Sequence, residues 1–447
     1  MIIKTILSGQ EVDGLVNKKV ILPYSGSSTT TLQYSKINRI GQFVNIDDLK
    51  MFRKDLENAA ESMLDYLEKN EEIILKTVAD ETGSPIHYHR QDLRNSITFL
   101  KSISVLGKFQ TSDHLYESKG NILLILPANE PITTGTILVF SALFMGNNVF
   151  VKPSSRTPSF CYLLVRELSK LPFLTSRVHF LSIEKDEVER LIRKKTFNFV
   201  ISFAGRSTNT KLSVVCAESE VEFCQESEGN DWAYIDKNYE VTQEFVEIIV
   251  NSFIRHNGQM CNSLRGIMVH SSVYKKLIGD LQEKISSVLV GSPNSPATRV
   301  SALISGTVQR AVQLVREVQS TVDGIWNFTN HDNIITPSIV LNPGNSSPIL
   351  TESIFAPILW LKSVDNHSEA LSLYHSKNMH GLGFSVFSYD NEVLDKFVSQ
   401  IKVGRLNINV DPLQAELFDP IGGVKLSGHG GPNHWVQKFS DRKFINR

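Results

Sequence analysis

The chain has 447 residues, 41% of them hydrophobic and 21% charged, which is enough apolar material for two large domains or three smaller ones. Its 46 Lys+Arg against 47 Asp+Glu leave a formal net charge of -1, excluding the strong electrostatics of a nucleic-acid or membrane-surface binder. Its four cysteines (Cys161, Cys216, Cys224, Cys261) include no C-x-x-C pair, which excludes a disulfide framework and zinc-ribbon or thioredoxin motifs.

Met1 to Leu7 is apolar but interrupted by Lys4, too short for a signal-peptide core, and no other run is long enough to span a bilayer. A reducing cytoplasm is the expected setting. Residues 1–46 read as short strands and turns. From Asp48 onward, Leu49, Phe52, Leu56, Ala59, Ala60, Met63 and Leu67 recur at helical spacing. The pattern runs on through Ile73 to Val78 and stops at the breaker Gly83-Ser84-Pro85. A second helix is expected over 91–106.

The texture then changes. Ile122 to Leu126 and Asn148 to Val151 are apolar runs closed by Pro127 and Pro153, with a helical stretch, 134–145, between them. Strand, helix and strand at this spacing make a βαβ unit and hence a parallel sheet. A strand over 177–181, a helix over 186–195 and a strand over 199–203 continue the alternation up to Gly205. Open sheets of this kind bind ligands beyond the carboxyl ends of their strands, where Pro127, Pro153 and Gly205 stand. The second half alternates again, with helices over 243–255, 272–289 and 307–321, strands over 266–270, 337–341 and 382–387, and no internal repeat.

Several segments carry possible chemistry. In Leu126-Pro127-Ala128-Asn129-Glu130-Pro131, Asn129 either offers its amide to a developing oxyanion or makes a turn between prolines. Lys152 ends a buried strand and can meet a phosphate or ribose, or simply punctuate the surface. Cys261, in Gly258-Gln259-Met260-Cys261, is a thiol among backbone N–H groups that can shift toward thiolate, or an inert buried cysteine like Cys216 and Cys224. In Glu226-Ser227-Glu228-Gly229-Asn230-Asp231 either glutamate can serve as a general base or belong to a solvated turn. The histidines His87/His89 and His429/His434 lack a third ligand at sensible spacing and read as surface or packing residues, so no metal is expected.

Taken in order, these segments resemble the aldehyde dehydrogenase superfamily from about Asp48 to Phe444. The Asn129 loop is similar to the family's P-W-N-F-P, and Gly146 to Ser154 resembles G-N-x-V-V-x-K-P-S. Phe203-Ala204-Gly205 is similar to the F-T-G turn, and Glu226 to Asp231 resembles E-L-G-G-N-D. Gly258 to Cys261 matches G-Q-x-C, and Thr351 to Pro357 resembles E-E-I-F-G-P. Gly381 to Gly383, Gly404 to Asn409 and Pro420 to Gly428 complete the pattern.

The resemblance implies an α/β fold of the aldehyde dehydrogenase type: an open parallel-sheet, Rossmann-type cofactor domain (1–225, with 412–447 returning to it) plus a second α/β catalytic domain (226–411). It implies that Cys261 attacks an aldehyde, that Asn129 holds the oxyanion, and that Glu226 activates water against the resulting thioester. The implied NADP or NAD contacts are Leu126, Pro127, Ala128, Lys152, Ser154, Ser155, Arg156, Gly205, Arg206, Ser207, Glu352 and Phe355.

The departures from the family pattern shape the expectations. Ser155 and Arg156 stand where the family usually grips the adenosine 2′-hydroxyl with Glu, which leans the cofactor toward NADP. Arg206 takes a serine's place, with Ser207 displaced by one. Ser353 takes the place of the glutamate on the nicotinamide ribose, with Glu352 one step away. Gly266 stands where an arginine usually follows the nucleophile, with Arg265 adjacent. The C-terminal arm looks short, favouring a homodimer over a tetramer. Three functions follow: oxidation of a small-molecule aldehyde to a carboxylate, NADPH-dependent reduction of an acyl-CoA or other acyl thioester, or a non-catalytic scaffold of the same fold.

Overall fold

The apolar runs assemble into two seven-stranded sheets in a computed structural model that describes residues 1–38, 40, 43, 46–109, 114–304 and 306–444. The first sheet comprises β1 (Thr5–Leu7), β2 (Gln10–Val12), β3 (Asn121–Ile125), β4 (Asn148–Lys152), β5 (Val178–Phe180), β6 (Phe199–Phe203) and β7 (Glu222–Glu226). Their spatial order is β7-β6-β3-β4-β5-β1-β2. Strands β7 to β5 run parallel, while β1 and β2 close one edge antiparallel. All five residues of β3 are buried, as a parallel strand covered on both faces requires. The chain steps from β3 to β4 on one side and later returns to β6 on the other, so the strand order reverses between β3 and β6. That reversal opens a crevice at the carboxyl ends of these strands.

The covering helices are α1 (Leu49–Lys69), α2 (Glu71–Thr82), α3 (Ile86–Lys101), α4 (Pro131–Phe144), α5 (Ser159–Leu168), α6 (Lys185–Arg193) and α7 (Arg206–Glu218). The single helical pattern beginning at Asp48 is two helices. Asn70 breaks it by turning both its backbone N–H and its side-chain amide onto the Tyr66 carbonyl. The helix expected over 91–106 starts earlier, at Ile86, because Pro85 supplies its cap, and its end tightens into a 3-10 segment, Ile103–Phe109.

The second sheet comprises β8 (Asp231–Ile235), β9 (Leu264–His270), β10 (Gly324–Trp326), β11 (Ser338–Leu341), β12 (Ile358–Val364), β13 (Gly383–Phe387) and β14 (Arg405–Ile408), in the order β10-β11-β12-β9-β8-β13-β14. Only β10 is antiparallel to its neighbour. In its core Trp232 meets Trp360 edge to face, with ring centroids 4.7 Å apart. Gly266 makes room for that ring, since a Cβ there would lie 1.7 Å from it. Helices α8 (Gln243–Ile254), α9 (Ser271–Ser286), α10 (Thr307–Val318), α11 (His367–Lys377) and α12 (Asn391–Gln400) cover the faces, and a last turn, α13 (Trp435–Lys438), packs back on α4.

Strand β7 ends at Glu226 and β8 begins at Asp231. Residues 227–230 therefore cross from the carboxyl edge of the first sheet to the amino edge of the second. Near the chain's end Ser440–Phe444 pairs antiparallel with His114–Ser118 as a separate ribbon. No helix among the described residues is long and apolar enough to cross a membrane.

Candidate active site

Cys261 sits on the short turn between α8 and β9, at the amino edge of the second sheet, and of the four cysteines it alone is exposed. Cys161 and Cys216 are buried, which closes them to a substrate, and burial pushes both up to about 12. Three features hold the turn that carries Cys261. Gly229 donates its N–H to the Cys261 carbonyl at 3.1 Å, and a Cβ on Gly229 would stand 2.4 Å from that oxygen, so only glycine fits. The buried Arg265 guanidinium donates to the carbonyls of Gly258 (2.6 Å) and Met260 (2.7 Å). Asn257, at φ 60°, donates to the carbonyls of Gly83 and Ala302. The one-residue offset of the arginine is thereby explained: Arg265 clamps the turn while Gly266 leaves space for Trp360.

The thiol is not shifted toward thiolate. The residue opens on solvent yet lies deep among its neighbours, and desolvation, followed by the carboxylates of Glu130, Asp231 and Glu226, pushes it up to about 12. The Asn262 backbone N–H and the Arg265 guanidinium favour the anion. The same surroundings act on the carboxylates. Burial raises Asp231 to about 7 although Gly383 donates its N–H to it at 3.0 Å, and burial together with Asp92 raises Glu130 to about 7. Raised carboxyls of this kind are partly protonated near neutrality, which relieves part of their repulsion of a thiolate.

Glu226 is buried at the end of β7. Its Oε1 accepts from Lys438 Nζ, and its Oε2 accepts from the Gly423 N–H at 3.4 Å. Burial raises its pKa, opposed chiefly by Lys438. Both side chains are nearly fully buried, at 6% and 7% exposed, and the ammonium also lies 4.9 Å from the Trp435 ring. Lys438 has no counterpart in the sequence reading. Asn129 is half-buried, and among the described residues its side-chain amide has no hydrogen-bond partner in the protein. Its neighbour Glu130 is close enough to Cys261 to raise the thiol, which brings this loop to the nucleophile.

A second, cationic region lies at the carboxyl end of β4. Lys152 donates only to the Pro153 carbonyl, at 3.2 Å, and burial, then Lys185 and Lys18, lowers its pKa to about 8. Neither Lys185 nor Lys18 was singled out in the sequence, because they arrive from α6 and from the N-terminal strand Val16–Val20. Ser154 Oγ accepts from the Arg156 N–H at 3.2 Å, and the Arg156 side chain is exposed. A buried ammonium without a carboxylate partner suits a ribose or phosphate.

Gly205 caps α7, with Arg206 and Ser207 exposed in its first turn. This helix N-terminus is a natural anion site, yet Glu228 Oε2 already accepts from the Arg206 N–H at 3.2 Å. A diphosphate at that position requires Glu228 to swing away. Leu126 is buried beyond β3, with half-buried Pro127 and Ala128 following it into the crevice. On the other side a cavity of about 220 Å³ is bordered by Phe355, Glu352, Ser353 and Thr307. Glu352 pairs with Arg310 at 2.8 Å, and Ser353 donates to the Gly229 carbonyl at 2.6 Å. His434 stacks on Phe109 and His429 is exposed, as expected of packing and surface residues.

The model of the aldehyde dehydrogenase family matches residues 53–445. Benzaldehyde dehydrogenase YfmT of Bacillus subtilis is 25% identical, over 98% of this chain and 94% of its own. Aldehyde dehydrogenase 21 of Physcomitrella patens, solved with the reaction product succinate, superimposes with a TM-score of 0.88 at 17% identity, covering 99% of this chain and 97% of that one. An NAD-dependent aldehyde dehydrogenase from Sinorhizobium meliloti gives 0.87 at 19% identity, covering 100% and 94%.

Proposed function

The chain belongs to the aldehyde dehydrogenase family, an NAD(P)-linked oxidoreductase acting on aldehydes, and from that membership we propose that it oxidises its aldehyde through a thioester on Cys261. The observation that carries the reading is the Gly229–Cys261 hydrogen bond, which fixes the glutamate-bearing crossover against the nucleophile turn. Cys261 loses its proton and its sulfur bonds to the aldehyde carbon, while the unpartnered Asn129 amide receives the developing oxyanion. When bound, the cofactor supplies the acceptor for the hydride leaving that carbon. The acyl group then stays on sulfur until Glu226, released from Lys438, takes a proton from water. The water oxygen bonds to the acyl carbon, the C–S bond breaks, and the sulfur recovers a proton.

For the cofactor we propose NADP ahead of NAD. Lys185 and Lys18 act on Lys152 at the end of β4, and Ser155 and the exposed Arg156 follow it in the chain, a local excess of positive charge that favours the extra phosphate. We also propose a homodimer. An isolated two-stranded ribbon such as His114–Ser118 with Ser440–Phe444 is marginal alone and gains from pairing with a second copy. Light scattering of the purified chain should give twice the monomer mass.

The thioester is tested by quenching turnover in acid. Cys261→Ser should abolish aldehyde oxidation, and Glu226→Gln should accumulate an acyl adduct on the Cys261 peptide by mass spectrometry. Oxidation surviving in Cys261→Ser would overturn the reading. The Lys438 clamp on Glu226 favours a second reading, in which hydrolysis is restrained and an acyl-CoA acylates Cys261 for reduction to the aldehyde. NADPH consumption with acyl-CoA, faster than NADP reduction with free aldehyde, would establish that direction.

A further inference from the structure

Deep beside the nucleophile turn, α3 and the residues just before Cys261 bring three polar side chains together. His89, Asp92 and His256 are 0%, 0% and 1% exposed, and one ligand atom from each lies within 4.8 Å of the other two. Asp92 Oδ2 stands 3.3 Å from His89 Nδ1 and 3.3 Å from His256 Nε2. None of these three atoms has a hydrogen-bond partner of acceptable geometry. Such groups, orphaned together in a core, need an occupant.

The hydrogen bonds around them decide what kind. Thr82 Oγ1 donates its proton to the Val78 carbonyl at 2.8 Å and accepts the Ser84 N–H at 3.1 Å. Its 2.8 Å contact with His89 Nε2 must therefore be donated by the imidazole. In the neutral ring this leaves His89 Nδ1 as a lone pair facing a carboxylate oxygen, two acceptors with nothing between them. His256 faces the same carboxylate oxygen, with Nδ1 2.9 Å from Ser84 Oγ and Nε2 3.3 Å from Asp92 Oδ2. Imidazoles held by a hydroxyl on one nitrogen and bare on the other are arranged like those of metal sites. The 3.3 Å separations equal the edge of a tetrahedron about a metal with bonds of about 2.0–2.1 Å.

We propose that His89 Nδ1, Asp92 Oδ2 and His256 Nε2 bind one divalent cation of the zinc class. Two imidazoles and one carboxylate suit that ion. Glu130 interacts electrostatically with both Asp92 and His256 but lies outside the cluster, so water would complete the coordination. The ion would fasten α3 to a turn in which His256 and Asn257 both have positive φ, 49° and 60°. It would thus act as a positioning element for Cys261 and touch no reacting atom. The rival occupant is a proton, which would make His89 an imidazolium paired with Asp92.

The test uses the full chain carrying Cys261→Ser, so that the nucleophile cannot bind zinc. After chelator treatment and dialysis, zinc alone is titrated against a chromophoric competitor, and cobalt is added separately for its visible spectrum. One equivalent is expected to bind, with cobalt giving ligand-field bands. His89→Gln and Asp92→Asn should each weaken binding at least tenfold with circular dichroism unchanged. No stoichiometric zinc binding, or binding undiminished in both variants, would overturn the proposal in favour of the proton. If either variant misfolds, anomalous diffraction from zinc-soaked crystals of the Cys261→Ser chain decides: a peak bonded to all three side chains supports the site, and its absence refutes it. Neither readout involves turnover, so failure here is separate from failure of the thioester mechanism.

Discussion

The two ends of the crevice are opposite in charge, and burial acts on both. At the carboxyl end of β4 it lowers Lys152 to about 8 beside Lys185 and Lys18. At the amino edge of the second sheet it raises Cys261 to about 12 and Asp231 and Glu130 to about 7. Desolvation disfavours whichever form is charged, so each end rests closer to neutrality than its residue types suggest. The difference lies in what restores the charge. An anionic ligand restores the ammonium by binding to it, whereas the thiolate gains when its neighbouring carboxylates take up protons. The crevice is therefore cationic where the proposed cofactor site lies and reluctant to ionise at the proposed nucleophile.

The largest effect is expected at the cationic end. Lys152→Met removes the ammonium proposed to meet the cofactor, and a lost charge-assisted hydrogen bond of about 1.5–3 kcal/mol corresponds to a rise in KM for NADP of roughly 10- to 150-fold. Lys152 also sets a pH dependence. Its folded pKa is depressed to about 8, so the ammonium is present below that value and lost above it. KM for NADP should rise between pH 7 and 9 in the parent and stay flat in the variant. A parent KM that falls over that range would mean that Lys152 does not contact the cofactor.

An intermediate effect is expected at the nucleophile. Because the thiol is raised to about 12, alkylation of Cys261 by iodoacetamide in the free enzyme should climb with pH beyond 9 without levelling. Above about pH 7 Asp231 is ionised and repels the thiolate. Asp231→Asn removes that charge, and at pH 8.5 it should speed alkylation by up to about tenfold, equivalent to one pKa unit. Slower alkylation would show that the Asp231–Gly383 hydrogen bond, not the charge, governs the site.

What was legible in the sequence follows the same division between local and distant causes. Asn129, Lys152 and Cys261 each sit beside punctuation (Pro127 and Pro131, Pro153, Gly258) that marks a strand end or turn, so order along the chain located them. Strand β3 announced itself because four of its five residues are apolar. Strand β7, Glu-Phe-Cys-Gln-Glu, did not, since an edge strand has one solvated side and needs no continuous apolar run. Lys438, Lys18 and Lys185 are ordinary lysines in the sequence; the fold brings Lys438 on α13 to Glu226 at the end of β7, and Lys185 on α6 and Lys18 on an N-terminal strand to Lys152. Arg265 read as a misplaced family arginine until Trp360 showed why its neighbour must be glycine. His89 was set aside as a packing residue because the sequence places no third ligand near it. Asp92 is one helical turn away, but His256 is supplied by a distant turn.

The smallest effect separates the two ends most finely, at Glu228, which lies on the crossover between the sheets. Its carboxylate accepts the Arg206 N–H at the start of α7, where a diphosphate would seek the same backbone donor. Glu228→Gln keeps the size and an acceptor oxygen but removes the charge that repels an incoming anion. A charge at a helix N-terminus is worth about 0.3–1 kcal/mol, so KM for the cofactor should fall about two- to fivefold. The rate of Cys261 alkylation in the free enzyme should stay unchanged, because Glu228 is not among the carboxylates that raise that thiol. A rise in KM would make Glu228 a supporting cap of α7 and not a competitor, and would move the diphosphate away from that helix. A changed alkylation rate would join the two ends into one electrostatic unit, contrary to the division drawn between them.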